Sequence, residues 1–181
     1  MTGFCGDGTV QDNEDCEDDP GSPVSGCTAE CTFDWWDTNW TTRVGVAIDA
    51  AAITAPRDNL DALILLDEDN FDFTSITEDG ADLRILDAAQ TALLDWEIEA
   101  FSATEERGAI WVALPEVNAG ETVRLWIYAG NPTATFPANL GGTLYQTYKG
   151  VWHLNGNGDD SSSQGKTLAE KGDLAYDEGV A

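Results

Sequence analysis

The strongest constraint on the fold is a strict alternation of apolar and acidic side chains in the stretch LLDWEIEAF. Successive side chains of a β-strand point to opposite faces, so this pattern predicts a half-buried strand with a carboxylate row on its outer face. The apolar residues are Leu94, Trp96, Ile98 and Ala100, and the acidic residues are Asp95, Glu97 and Glu99.

Other short apolar runs along residues 40–130 also predict β-strands. WTTRVGVAIDA, LDALILLD, RGAIWVALP and ETVRLWIYAG are rich in β-branched residues and are bounded by Pro, Asn, Asp and Gly. The one helix-like piece, DAAQTALL, is interpreted as a turn that connects two strands. Many short strands with turn signals between them predict an all-β fold, an antiparallel, jelly-roll-like β-sandwich.

Four cysteines lie within the first 31 residues, and the other 150 residues contain none. A structural zinc site usually needs two close cysteine pairs or cysteine with histidine. The single histidine, His153, is far away in sequence, so two disulfides are predicted instead, with three possible pairings. Disulfides indicate an oxidising compartment, and we expect an extracellular or cell-surface protein whose signal peptide is not part of this chain. The cysteines are Cys5, Cys16, Cys27 and Cys31.

The stretch CGDGTVQDNEDCEDD followed by GCTAEC resembles a short four-cysteine repeat of secreted proteins from myxobacteria and other bacteria. The resemblance implies a small disulfide-stapled knot over residues 1–33. Carboxylates held by such a loop could converge on calcium, which prefers oxygen ligands. The alternative is that they are solvated turn formers. The calcium candidates are Asp7, Glu14, Asp18 and Asp19.

Residues 34–148 resemble an extracellular bacterial and archaeal family known as domain of unknown function 2341. The resemblance implies a β-sandwich, which we place at residues 34–149, and it implies no activity. It rests on a Trp-x-x-Arg strand, Gly-x-Asp-Leu-Arg, a Trp-x-Ile-Glu strand, Ile-Trp-Val and Tyr-x-Gly-Asn. The matching residues are Trp40, Arg43, Gly80, Asp82, Leu83, Arg84, Trp96, Ile98, Glu99, Ile110, Trp111, Val112, Tyr128, Gly130 and Asn131.

The stretch GVWHLNGNGDDSSSQGKTL resembles the first strand and loop of a concanavalin- or laminin-G-like jelly roll. A jelly roll needs far more residues than follow Val151. Residues 150–181 are therefore expected to be the beginning of a truncated second domain, and the chain to be a piece of a longer surface protein.

A ligand platform is predicted from a hairpin between the strands at 107–115 and 121–130. That register places Trp111 opposite Trp126 and Val112 opposite Leu125, with an aromatic row on one face and aliphatic core on the other. Sugar rings could stack on the row. The alternative is that these rings pack beneath a loop or a second layer. The platform residues are Trp111, Trp126, Tyr128 and Arg124.

Charge and motif content narrow the function classes. A net charge of −26 argues against nucleic acid and anionic membranes as partners. No nucleophile–base pair or cofactor loop is recognisable, so Glu97 and Glu99 are interpreted as a solvated strand edge and His153 as structural. The sequence favours a non-catalytic recognition or adhesion segment that binds glycan or another matrix component, with calcium as its one cofactor candidate. The alternatives are a stalk or assembly subunit that contacts neighbouring copies, and an accessory region of a polysaccharide hydrolase.

Overall fold

The computed structural model describes residues 31, 35–138, 144–154, 156–169 and 171–172. Its regular structure consists of six strands and one short 3-10 turn at Phe73–Ser75. The predicted all-β fold is therefore confirmed, whereas the predicted knot at residues 1–33 lies almost entirely outside the described residues. The strands are β1 (Thr42–Asp49), β2 (Arg57–Asp67), β3 (Arg84–Asp87), β4 (Trp96–Ser102), β5 (Arg107–Val117) and β6 (Thr122–Ala129).

The strands form two antiparallel three-stranded sheets with the orders β1–β6–β3 and β2–β5–β4. The core fills the space between them. Because side chains alternate along each strand, one set from each sheet faces this core and the other set faces outward. Completely buried members include Ile85, Ile110, Val112, Leu125 and Ile127.

The predicted hairpin between β5 and β6 is wrong, because the two strands belong to different sheets. Val112 lies opposite Ala62 and Trp96, and Leu125 lies opposite Val46 and Asp87. Each of the two strands is the central strand of its sheet and is already paired on both sides. The turn-rich EVNAG segment therefore connects one sheet to the other. A segment of this length can make either this connection or a hairpin.

Strand β4 follows the predicted alternation from Trp96 to Ile98, but the prediction that Ala100 shares their inner face is wrong, because Ala100 is exposed and lies opposite Ala109 on the outer face. Trp96 is buried in the core, and Ile98 packs against it. A β-bulge lies between Ile98 and Ala100. It places Glu99 as an extra residue on the strand, so Glu97 and Glu99 do not have the spacing of a regular strand.

The DAAQTALL segment forms the predicted turn. The Asp87 carboxylate accepts hydrogen bonds from the backbone N–H groups of Thr91 and Ala92 at 2.8 and 3.0 Å. Gln90 occupies the turn with a φ of 57°, in the left-handed region that a helix interior does not use. Side-chain bonding of this kind gives the backbone an alternative to helix.

Asp82 joins several of the family-like motifs. Its carboxylate is fully buried and accepts four hydrogen bonds, two from Thr77 and one each from the N–H groups of Gly130 and Asn131. Its carbonyl oxygen accepts the indole N–H of Trp40 at 2.6 Å. The aspartate thus ties the loop before β3 to the end of β6 and to the entry of β1.

Candidate functional site

The outward face of the β2–β5–β4 sheet changes character along its length. One end carries acidic and aromatic side chains, the middle carries aliphatic ones, and the other end carries charged and polar ones. The register orders them in cross-strand rows: Asp61 with Ala113, then Leu63 with Trp111 and Glu97, then Leu65 with Ala109 and Ala100, then Asp67 with Arg107 and Ser102.

The acidic and aromatic end is covered by residues 144–154, which we call the docked segment. Leu144 and Tyr145 are 2% and 4% exposed and form a buried cluster with Ala113 of β5. Trp111 and Val151 pack against this cluster. The docked segment therefore adds a small second core on the outside of the sheet.

His153 holds the docked segment to the two glutamates of β4. Its Nδ1 lies 2.6 Å from Oε2 of Glu99, and its Nε2 lies 3.6 Å from Oε1 of Glu97. The indole N–H of Trp111 donates to the same Glu99 oxygen at 3.0 Å, and the Ser161 hydroxyl donates to Glu97 at 3.2 Å. One imidazole thus bridges both carboxylates.

Burial and charge at this end favour neutral or cationic groups over anions. Desolvation, followed by the negative charges of Glu97, Glu99 and Asp61, raises the pKa of the Tyr145 phenol well above its ordinary value. Desolvation also raises the pKa of Asp61, against a hydrogen bond from the Tyr145 N–H. The phenol therefore stays protonated beside the carboxylates.

The described residues around His153 form a carboxylate–histidine pair whose members bond to other groups of the same chain. The Nε2 atom of His153 is buried and has no hydrogen-bond partner, like the Tyr145 hydroxyl. The nearby hydroxyl of Ser161 bonds to Glu97 rather than to the imidazole. Chemically, the cluster is built to fasten two segments together. Across the described ranges, no group of three or more His, Cys, Asp or Glu side chains could hold a metal ion.

Among the described residues, no segment covers the aliphatic middle of the same face. Leu63 and Leu65 are 45% and 64% exposed, whereas their neighbours Ile64 and Leu66 point into the core. This surface is part of a groove of about 400 Å³ that has both apolar and polar lining, which includes Leu65, Ala100, Ala109, Asp67, Ser102, Glu105 and Arg107. Strand β2, which carries both exposed leucines, is also an edge strand of its sheet.

The predicted ligand platform does not exist as one surface. Trp126 and Tyr128 are 5% and 0% exposed and lie on the outer face of the β1–β6–β3 sheet, beneath Trp35 and Trp36. Arg124 is half-buried on that same sheet, while Trp111 lies under Tyr145 on the other sheet. The alternative interpretation, that the rings pack beneath neighbouring segments, describes their positions.

Glu97 and Glu99 are not a solvated strand edge, so that interpretation is wrong. Their side chains are 26% and 37% exposed, and both contact His153, which is 19% exposed. The interpretation of His153 as structural agrees with this geometry. VWHL, which the sequence suggested as a strand, is not part of one. The signal in the sequence was that this apolar run needed a surface to pack on, and that its histidine needed a polar partner such as the two glutamates of β4.

The cysteine and calcium predictions fall mainly on residues 1–30, which lie outside the described part of the chain. Cys31 is described: it is completely buried and is not a free thiol. Cys5, Cys16 and Cys27 lie outside the description, as do Asp7, Glu14, Asp18 and Asp19. The disulfide pairing and the calcium site therefore stay predictions.

Comparison with protein families gives one match: the profile described as Domain of unknown function (DUF2341) matches residues 79–155. The match supports the predicted family resemblance for this part of the chain and supplies no activity. It runs through His153, so it includes the docked segment and both glutamates. Comparisons with curated proteins and with solved structures give no match. No helix among the described residues is long and apolar enough to cross a membrane.

Proposed function

We propose that this chain is a non-catalytic assembly segment of a secreted or surface-attached protein, and that it associates with a second copy of itself through β2. The observation that carries the proposal is the outer face of the β2–β5–β4 sheet. One half of this face already binds a segment of the chain, and the other half continues as an uncovered aliphatic surface.

The edge of β2 supports the same partner. An edge strand presents unpaired N–H and C=O groups, and proteins that keep it unpaired usually blunt it with charge, proline or a bulge. The central part of β2, from Leu60 to Leu66, contains one charged residue, Asp61. Antiparallel pairing of two β2 strands would satisfy both edges and bring both Leu63–Leu65 surfaces together in a two-fold interface.

The cluster at His153 supports a structural rather than a catalytic role. The Nε2 atom has no exposed surface through which a substrate could reach it, and its nearest acidic neighbour is Glu97. The sandwich and its docked segment thus present a pre-ordered surface, which lowers the entropic cost of association. The predicted glycan-binding role depended on an aromatic row shared by Trp111 and Trp126, and these residues lie on different sheets.

Sedimentation velocity of the chain over a concentration series tests the proposal. We expect a monomer–dimer equilibrium that strengthens with added salt, because each copy carries a net charge of −26 and salt screens the repulsion. Leu65→Asp should abolish the dimer. The matched control is Ala47→Asp, at an exposed position of β1, an edge strand of the other sheet, which should leave the dimer intact. A monomer under all conditions, or equal effects of the two variants, would contradict the proposal.

A further inference from the structure

The chain contains two Asn-x-Thr triplets, and only one of them has the chemistry of a glycan acceptor. N-linked transfer requires a residue other than proline in the middle position. Asn131-Pro132-Thr133 fails this requirement, and Asn131 is only 8% exposed. Asn39-Trp40-Thr41 meets it, and Asn39 is exposed.

The turn at residues 37–40 presents Asn39 to solvent and anchors its neighbour. The Trp40 N–H donates to the Asp37 carbonyl at 3.2 Å, and the Asn39 amide donates to the exposed Asp37 carboxylate at 2.8 Å. Trp40 points the other way: it is 8% exposed and lies beneath the Arg84 guanidinium, 5.2 Å from its ring centre. A substituent on the Asn39 amide would therefore replace one exposed hydrogen bond and leave the buried anchor unchanged.

We propose that Asn39 is an N-glycosylation site; this inference rests on the extracellular location in the proposed function. The donor would be an oligosaccharide linked through diphosphate to a lipid. A bond forms between Nδ2 of Asn39 and C1 of the first sugar, while the bond from C1 to the diphosphate oxygen breaks. The lipid diphosphate leaves with the electron pair, and the amide proton passes to a base of the transferase.

The position gives the glycan a physical role. Asn39 lies three residues before β1, the edge strand of the β1–β6–β3 sheet. A bulky hydrated chain at the entry of an edge strand would block pairing along that edge. The β2 edge belongs to the other sheet, so the glycan would leave the proposed association surface free and restrict association to it.

The hydroxyl of Thr41, which the transferase reads, is engaged in the folded protein. It donates to the Gly130 carbonyl at 3.1 Å, where β6 ends. Glycan transfer is therefore expected before β1 pairs with β6, while the triplet is still extended.

The test is secretion of the full chain, with an added export signal, from cells that make N-linked glycans. A flexible C-terminal tag with its own Asn-x-Thr triplet reports transfer, and only chains whose tag is glycosylated are analysed by peptide mass spectrometry. We expect the Asn39 peptide to carry one oligosaccharide, and Asn39→Gln and Thr41→Ala to lose it. Thr41→Ser should keep it, and the Asn131 peptide should be unmodified.

An unmodified Asn39 peptide in chains whose tag carries the glycan would overturn the proposal. A glycan that persists in Thr41→Ala would also overturn it, because the triplet would then not be the recognised signal. Dimerisation is measured separately on the unglycosylated Asn39→Gln chain. A failure of the glycosylation site is thereby distinguishable from a failure of the assembly role.

Discussion

The two outer faces of the sandwich are covered in different ways. The β1–β6–β3 face is sealed by aromatic rings, and the Arg43 guanidinium lies 4.7 Å from the Trp126 ring and 4.9 Å from the Trp35 ring. The β2–β5–β4 face is half covered by a segment that an imidazole and two carboxylates hold in place. The first arrangement relies on apolar burial and cation–π contact, and the second combines a smaller apolar cluster around Leu144 and Tyr145 with hydrogen bonds between an imidazole and carboxylates.

This difference indicates which face can exchange partners. Uncovering large buried rings costs much free energy, because each ring then exposes a large apolar area to water. A half-exposed carboxylate–imidazole contact costs much less to open, because water replaces its hydrogen bonds. We therefore expect the aromatic cover to stay closed, and the β2–β5–β4 face to be the one that exchanges partners.

The largest effect is expected at Asp82, because its loss would leave buried N–H groups of Gly130 and Asn131 without an acceptor. Asp82→Ala should lower the free energy of unfolding by about 3 kcal/mol or more, measured by urea denaturation. As a control, Asp72→Ala removes an exposed carboxylate that accepts from Thr74 and should have a much smaller effect. Equal losses in the two variants would contradict the buried tie at Asp82.

The two tryptophans give the sharpest contrast between the faces. Trp126→Ala should destabilise the whole sandwich by about 3 kcal/mol or more, since its ring is buried in the aromatic cover. Trp111→Ala should mainly release the docked segment, which amide hydrogen exchange would show as faster exchange in residues 144–154 with little change in β6. If both variants unfold the sandwich equally, the proposed distinction between the two faces is wrong.

Glu99→Gln tests how much the charge of the Glu99 carboxylate contributes to holding the docked segment on the sheet. The change keeps the shape of the side chain and removes the charge that faces His153 and Trp111. Since the group is partly exposed, the loss should be about 1 kcal/mol, confined to the docked segment. Hydrogen exchange of residues 144–154 measures it, and Glu105→Gln, on the exposed turn between β4 and β5, is the control. No change at Glu99→Gln would show that apolar packing alone holds the segment.

The smallest effect concerns the loop at residues 156–169. Desolvation raises the pKa of Asp160, but hydrogen bonds from the backbone of Val151, Lys166 and Ser162 outweigh it, so the pKa lies well below its ordinary value. Because the pKa of Asp160 is lowered by folding, its carboxylate stabilises the folded loop at pH values above its unfolded pKa of about 3.9. This stabilisation is lost as the pH falls further. Exchange in this loop should therefore accelerate below about pH 4, and Asp160→Asn should remove the acceleration. An unchanged pH profile in Asp160→Asn would contradict this role.

The sequence predicted the strands better than their partners. Alternation in β4 and the apolar runs of β2, β5 and β6 are local patterns, and each became a strand. Sheet membership is not local: β5 and β6 are joined by a short connection, yet β5 pairs with β4 and the distant β2, and β6 pairs with the distant β1 and β3. The predicted hairpin between β5 and β6 was wrong for this reason. The predicted ligand platform was also wrong, because it depended on the register of that hairpin.

The candidate site was harder to predict than the fold. Glu97 and Glu99 were placed correctly on one face of β4, but their partner, His153, is 54 residues from Glu99 along the chain. Nothing in the local pattern fixes where residues 144–154 dock. By contrast, the motif residues Trp40, Asp82 and Gly130 form one connected structural tie, and this role implies no activity.

Amide hydrogen exchange at low and high protein concentration tests most directly whether β2 and its outward leucines form the association surface. In 0.5 M salt, which shortens the Debye length to about 4 Å, residues 57–67 should exchange more slowly as concentration rises. Residues 42–49 of β1 should not respond, and Leu65→Asp should abolish the protection of β2. Exchange in β2 that is independent of concentration, or protection that falls on β1 instead, would contradict the account.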